Sequence, residues 1–210
     1  LDLTGRIPKP ERVTAFVSDS NPEKRAKYVD ELLNSPEWLD KWTMFYGDLF
    51  KNTDQIQATG TIRRAEGREA FYNWIYKSLK DGKPYNKMAF ELIAAEGDNS
   101  WTQGELNWQI GNRTTGGPAQ DNYDQMAAST METFLGVSHF NCIVCHNGRG
   151  HLDTLSLWGK NSARMQAWGF SAFFAQANMV QQARDQRPDP NIYYWGLTTT
   201  RTATYALNTT

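Results

Sequence analysis

The sequence predicts a mainly α fold, an irregular multi-helix domain in which long loops separate the helices. Proline stands near the first turn of two amphipathic segments, in Ser20-Asn21-Pro22 and in Asn34-Ser35-Pro36, and this position is typical of helix starts. Apolar side chains then recur at intervals of three and four residues, the period of one helix face. Segments rich in Gly and Asn between these runs indicate loops.

Four helices are predicted in the first half of the chain, over residues 20–33, 34–50, 69–79 and 85–95. Residues 51–66 lose the helical period, so we expect a loop there. Residues 99–121 include neighbouring Thr, Gly and Pro residues, which predicts an exposed connection. Because this connection is long for a simple linker, it is also a candidate binding segment.

A longer helix is predicted from about residue 121 toward the only two cysteines of the chain. If this helix continues through them, five residues at helical spacing share one face. These residues are Met131, Leu135, His139, Cys142 and His146. Residues 148–159 are rich in glycine and predict a loop, and residues 162–182 predict a further helix. After Arg187 we expect a loop, a short strand pair or a truncated connection.

Composition excludes several classes of protein. The 210 residues carry 22 basic and 23 acidic side chains, a net charge of −1, so nucleic acid is not expected as a partner. No transmembrane segment is predicted, because no apolar run approaches the roughly 20 residues that a spanning helix needs. Two cysteines are too few for a disulfide framework. Eight Trp, nine Tyr and ten Phe residues indicate aromatic-rich packing or a large flat ligand.

Both cysteines and one of the three histidines stand together in Cys142-Ile143-Val144-Cys145-His146. Cys-x-x-Cys-His is the attachment signature of c-type haem. Each cysteine sulfur can add to a haem vinyl group, and the adjacent histidine supplies an imidazole nitrogen to the iron. We therefore predict that the irregular helical domain surrounds one covalently attached haem c, with His146 as the proximal iron ligand.

Two other interpretations of the cysteines remain open at this stage. A redox dithiol of the thioredoxin type would need a strand-to-helix context, whereas helix is predicted before the motif. A zinc site could use Cys142 and Cys145 together with His139 and His151. Haem attachment is the favoured interpretation, because the type, spacing and order of the motif residues all match what haem c attachment requires.

The residues after the motif suit a haem electrostatically. Arg149, Lys160 and Arg164 outnumber the single acid Asp153 between residues 142 and 175, which gives a local charge of +2. We predict that Arg149 and Arg164 face the two haem propionates. Five aromatic residues are candidates for the walls around the porphyrin. They are Trp158, Trp168, Phe170, Phe173 and Phe174.

The second axial ligand of the iron is left open among several residues. His151 is a candidate metal ligand because Gly148 and Gly150 permit a detour around the ring edge. Met165 and Met179 are alternatives, since a thioether is a known haem ligand. His139 and an open or water-bound site complete the set.

Three segments resemble recurring parts of one family of bacterial proteins of unknown function, described as cytochrome-associated and best known from planctomycetes and acidobacteria. These segments are LDLTGRIPKPERVTAF, VDELLNSPEW and FLGVSHFNCIVCHNGRGHLDTLSLWG. The resemblance covers roughly residues 1–185. It implies a helical domain, haem c at Cys142, Cys145 and His146, and export across the cytoplasmic membrane. Many relatives have His-Pro shortly after the haem histidine, whereas residues 147–151 replace it here, so no role of His151 carries over.

We accordingly predict a helical haem c domain over residues 1–185. Residues 186–210 are predicted to be a C-terminal loop or the start of a truncated following region. The leading functional hypothesis is a mono-haem c-type cytochrome that transfers electrons in the periplasm or at the cell surface. Its expected partner is a redox protein, and a homo-oligomer with haem–haem contacts is a further hypothesis.

Two alternative functions also assume a bound haem but give it a different role. In a haem-dependent enzyme, the loop before residue 120 would bind a substrate near Glu96, Asp98 and Glu105. In a structural or self-assembling module, the haem would mainly stabilise the fold, and an aromatic surface would form the contacts between copies of the chain.

Overall fold

The computed structural model describes residues 1–56, 61–62, 64–114, 117–183, 193–200 and 204–205. Within these residues the chain forms helices and two small antiparallel sheets, so the prediction of a mainly α fold is confirmed. The helices are α1 Pro10–Ser18, α2 Lys24–Leu33, α3 Pro36–Leu49, α4 Arg64–Lys80, α5 Tyr85–Ile93, α6 Leu106–Ile110, α7 Ala119–Leu135, α8 Phe140–Ile143, α9 Leu157–Asn161 and α10 Arg164–Ser171. The strands are β1 Gln55–Ile56, β2 Thr61–Ile62, β3 Ala177–Ala183 and β4 Tyr193–Thr199, and a 3-10 turn, Ala172–Gln176, precedes β3.

The start of α3 is fixed by the predicted signal. Ser35 precedes Pro36, and the Ser35 hydroxyl accepts a hydrogen bond from the Trp38 amide at 3.2 Å. This bond satisfies one of the amide groups that the first turn of a helix leaves without a partner.

Replacing Ser35 by alanine is expected to lower the free energy of unfolding by about 1 kcal/mol, because the cap is lost. Urea unfolding followed by circular dichroism measures this loss. Ser35→Thr keeps the hydroxyl and serves as the control, which should unfold close to the wild-type midpoint. Equal losses in the two variants would show that the cap contributes nothing.

A cluster of large rings joins α3, α4, α6 and the end of α7. Phe50, directly after α3, is fully buried. Its ring centre lies 6.2 Å from that of Phe71, 6.1 Å from that of Trp108 and 6.0 Å from that of Phe134. These four residues are the aromatic cluster, and they hold the first half of the chain against α7.

A second core lies between α7, α8 and α10, below the cysteine pair. It contains buried residues from each of these helices and from the loop after the motif. They are Met126, Ala127, Ala128, Phe140, Ile143, Leu152, Ala167 and Phe174. Since Phe140 and Ile143 belong to α8, the motif helix is anchored by its apolar side chains and its cysteines remain at the surface.

Two predictions for the first half of the chain are corrected. Residues 51–66 were expected to form a loop, but β1 and β2 pair within them and α4 begins at Arg64. Residues 99–121 are not simply an exposed connection, because they contain α6, all of whose residues are buried. Two of its five residues, Asn107 and Gln109, are polar yet buried, so the helix shows no amphipathic period in the sequence.

The prediction that one helix runs from about residue 121 through the cysteines is also wrong. Gly136 takes a left-handed conformation, with φ of 69°, and ends α7. The Val137 amide donates to the Met131 carbonyl at 3.0 Å, a bond typical of helices that end at such a glycine. Because α8 begins anew at Phe140, the residues from Met131 to His146 do not share one continuous helix face.

The helix predicted over residues 162–182 is correct only in its first half. α10 ends at Ser171 and β3 begins at Ala177. β3 pairs with β4 of the C-terminal tail, with Met179 opposite Leu197. The tail, for which a loop, a short strand pair or a truncated connection was expected, thus supplies β4, and the partner strand β3 lies before the predicted boundary at residue 185. Residues 184–192 lie outside the described part of the chain.

A bridge attaches β4 to the helical body. The Gly97 amide donates to the Leu197 carbonyl at 2.9 Å, and the Leu197 amide donates back to the Gly97 carbonyl at 2.7 Å. The Ser100 amide donates to the Trp195 carbonyl at 2.9 Å.

Among the described residues, no helix has the length and apolar character needed to cross a lipid bilayer.

Candidate functional site around the cysteine pair

Cys142, Cys145 and His146 lie on one helical turn at the protein surface. The amides of Cys145 and His146 both donate to the Cys142 carbonyl, at 3.3 and 3.2 Å. Both thiols are free and exposed. The structure therefore has the helical spacing that the motif requires, with its sulfur atoms open to solvent.

The imidazole of His146 is oriented by the backbone. Its Nδ1 lies 3.1 Å from the Asn147 carbonyl oxygen. A carbonyl can only accept a hydrogen bond, so this contact assigns the proton to Nδ1 and leaves the lone pair on Nε2. Histidines that bind metals commonly use one ring nitrogen in this way and coordinate through the other.

His151 lies directly against His146. Their ring centres are 4.1 Å apart, with 36° between the ring planes. Two imidazoles on opposite sides of one metal ion, each with a bond of about 2 Å, would place their ring centres roughly 6 Å apart. A role of His151 as the second iron ligand would therefore require its loop to move.

The loop that carries His151 is tightly packed at both ends. The Gly148 amide donates to the Ser162 carbonyl at 3.0 Å, and the Leu152 amide donates to the Gly148 carbonyl at 2.8 Å. A Cβ atom at Gly148 would lie 1.6 Å from the Gly159 carbonyl oxygen. Close approach of two backbone segments thus requires glycine at position 148.

Two side chains of α10 converge on the carbonyl oxygen of Val144. Arg164 Nε donates to it at 3.2 Å and Trp168 Nε1 donates to it at 3.1 Å. The Arg164 guanidinium also stacks on the Trp168 ring, 4.1 Å from its centre. The backbone between the two cysteines is therefore held by a pair of donors from another helix.

Arg164 thus lies beside the motif. Its Nε donates a hydrogen bond to the motif backbone, at the Val144 carbonyl. Arg149 is exposed on the loop after His146, and Lys160 is exposed on α9. Asp153 accepts a hydrogen bond from the Gly150 amide at 3.1 Å. The contact of Arg149 and Arg164 with propionates stays a prediction.

The other candidate axial ligands are scattered. Met165 is 66% exposed on α10, and Met179 packs between two core clusters from β3. The His139 ring lies 5.3 Å from that of Trp158, and its Nε2 is buried without a hydrogen-bond partner among the described residues. These positions do not single out one second ligand.

The zinc alternative is not supported by the geometry. In the described part of the chain, no three His, Cys, Asp or Glu side chains are grouped as ligands of one metal ion. Cys142, Cys145, His139 and His151 therefore do not form the tetrahedral site that zinc prefers.

The sequence reasoning missed the support of the motif by Trp168 and by the contact between Gly148 and Gly159. Trp168 was considered only as a porphyrin wall, whereas its indole nitrogen fixes the Val144 carbonyl. The glycines after the motif are the available signal for close backbone contact, whereas they predicted only a loop and a detour of His151 around the ring edge.

Comparison with known protein families gives a match over most of the chain. The model of the PSCyt2 family, proteins of unknown function (DUF1549), matches residues 1–178. Searches of curated proteins and of solved structures found no match. Because the matched region covers most of the 210 residues, this chain belongs to the PSCyt2 family of proteins of unknown function.

Proposed function

We propose that this chain is a mono-haem c-type cytochrome that transfers electrons outside the cytoplasm. Cys142 and Cys145 would hold haem c through two thioether bonds, and His146 Nε2 would bind its iron. A haem iron changes by one electron between its ferric and ferrous states, which is the chemistry that the group supplies when bound.

The observation that carries this proposal is the orientation of the motif turn. Its two thiols are exposed, and the His146 Nδ1 contact with the Asn147 carbonyl leaves Nε2 available to a metal. Arg164 and Trp168 both donate to the Val144 carbonyl, so two hydrogen bonds from another helix fix the backbone of the turn without a cofactor. Such preorganisation favours attachment, because little conformational entropy is lost at the site.

A haem-stained denaturing gel tests the proposal. The chain is exported from cells that contain the c-type haem attachment machinery, and the wild-type polypeptide is expected to keep its haem colour after denaturation. The double variant Cys142→Ser/Cys145→Ser should lose all colour, because no thioether can form. Asn141→Ser, an exposed change on the same helix, is the matched control and should keep the wild-type colour.

A colourless wild-type band would contradict the proposal, provided that a known c-type cytochrome from the same cells is coloured. Colour that persists in the double cysteine variant would contradict the assignment of the attachment residues. The absorption spectrum of the reduced, coloured protein then identifies the second axial ligand.

A further inference from the structure

An apolar cavity of about 400 Å³ lies beside the ends of α5 and β4, apart from the cysteine pair. Its lining comes from the end of α5 and the residues after it, from α6, α7 and α10, and from the 3-10 turn, β3 and β4. The volume is in the range of sites for small organic molecules. None of its described lining residues belongs to the cysteine motif.

One wall of the cavity is made of phenylalanine rings. The ring centre of Phe170 lies 5.7 Å from that of Phe174 and 6.4 Å from that of Phe173. Phe174 is buried, whereas Phe173 is 78% exposed at the cavity. An exposed phenylalanine next to an open apolar cavity favours a ligand that covers its ring.

The charge of the lining is negative. Glu96 is the one charged side chain among the described lining residues, and its carboxylate accepts a hydrogen bond from the Thr199 hydroxyl. The faces of the phenylalanine rings also carry partial negative charge. Carboxylate and ring faces together attract an organic cation and repel an organic anion.

A buried hydroxyl in the same wall lacks a hydrogen-bond partner. Thr130 is 5% exposed, and its hydroxyl has no partner among the described residues. The equally helical Thr43, also buried, donates instead to the Leu39 carbonyl at 2.7 Å. Because the Thr130 hydroxyl oxygen is closed to solvent, a ligand in the open cavity does not reach it, and binding there depends on Glu96 and the phenylalanine rings.

We propose that this cavity binds a small organic ammonium compound with a ring-sized apolar body, of the arylalkylammonium class. The apolar body lies against Phe170, Phe173 and Phe174, and the ammonium group lies at the Glu96 carboxylate. This site is additional to haem attachment and does not rest on it. Phe170 also contacts Phe140 of the motif helix, with ring centres 5.7 Å apart, so the cavity borders the core of the motif.

Isothermal titration calorimetry with three matched probes tests this site on the purified full chain. The probes are 2-phenylethylammonium, the neutral 2-phenylethanol and the anionic phenylacetate. The ammonium compound is expected to bind about tenfold more tightly than the alcohol, as one favourable cation contact permits, and phenylacetate is expected to bind most weakly.

Three variants assign the binding to this cavity. Glu96→Gln should remove the preference for the ammonium compound over the alcohol, because the shape is kept and the charge is lost. Phe173→Ala should weaken ammonium binding about tenfold, because the apolar body of the probe loses a ring that it lies against. Phe90→Ala is the matched control, because Phe90 is 70% exposed but does not line the cavity, and it should bind as the wild type does.

Binding of phenylacetate as tight as that of the ammonium compound would overturn the proposal. So would an unchanged preference in Glu96→Gln, equal losses in the two phenylalanine variants, or no heat of binding at millimolar probe. Because the titration uses chain with or without haem, its failure is distinguishable from a colourless band on the haem-stained gel.

Discussion

Replacing Phe50 by alanine is expected to lower the free energy of unfolding by about 3–5 kcal/mol. Phe50 is completely buried at the centre of the aromatic cluster and contacts Phe71, Trp108 and Phe134. The truncation removes a large apolar side chain from the core and leaves a cavity that rings from three different helices cannot fill without moving.

Urea unfolding followed by tryptophan fluorescence measures the loss. Phe45→Ala is the matched control, since Phe45 lies on α3, the helix that Phe50 directly follows, but is 50% exposed. It should lose less than half as much free energy as Phe50→Ala, because less apolar surface returns to water. Equal losses would show that the aromatic cluster is not the centre of the first core.

Gly148→Ala is expected to destabilise the loop after the motif by at least about 3 kcal/mol, the upper part of the range for overpacking. The added Cβ would lie 1.6 Å from the Gly159 carbonyl oxygen, so two backbone segments must separate. This separation also breaks the hydrogen bond from the Gly148 amide to the Ser162 carbonyl. Unlike a side chain, backbone cannot rotate out of the way.

Hydrogen exchange and thermal unfolding together measure this effect. In Gly148→Ala, amides of the loop up to Leu152 should exchange faster and the melting temperature should fall. The same substitution at Gly169 is the control, because a Cβ there meets nothing within 4 Å and the residue lies inside α10. Gly169→Ala should stabilise the helix by about 0.5–1 kcal/mol. A stable Gly148→Ala protein with wild-type exchange would refute the close contact.

The parts of the fold that could be predicted depend on contacts near in sequence. The start of α3 follows from Ser35 and Pro36, and hydrogen bonds from the Cys145 and His146 amides to the Cys142 carbonyl close the helical turn of the motif. The end of α7 at Gly136 was also visible in the sequence, because glycine commonly ends helices. An apolar stripe continues past Gly136 in the sequence and wrongly predicts one longer helix.

The remaining parts depend on contacts between distant residues. β3 is a strand because β4 pairs with it. The spacing of apolar residues within β3 does not indicate that a partner strand lies in the C-terminal tail. α6 is only five residues long, and its polar residues Asn107 and Gln109 are buried against other segments, so its sequence shows no amphipathic period. In the candidate site, the residues of the motif were predictable from their spacing. The Trp168 bond to Val144 was not, because it joins two separate helices.

The bridge between Gly97 and Leu197 bears on the order in which the chain folds. Pairing these residues closes a loop that contains the motif, α6 and α7, and such closure is slow compared with helix packing between neighbours such as α3 and α4. Leu197 and Thr199 line the apolar cavity together with Glu96, so this wall exists only in chains in which that loop is closed. A molecule that binds the cavity would bind the folded chain and not the unfolded one, and it would therefore stabilise the closed loop.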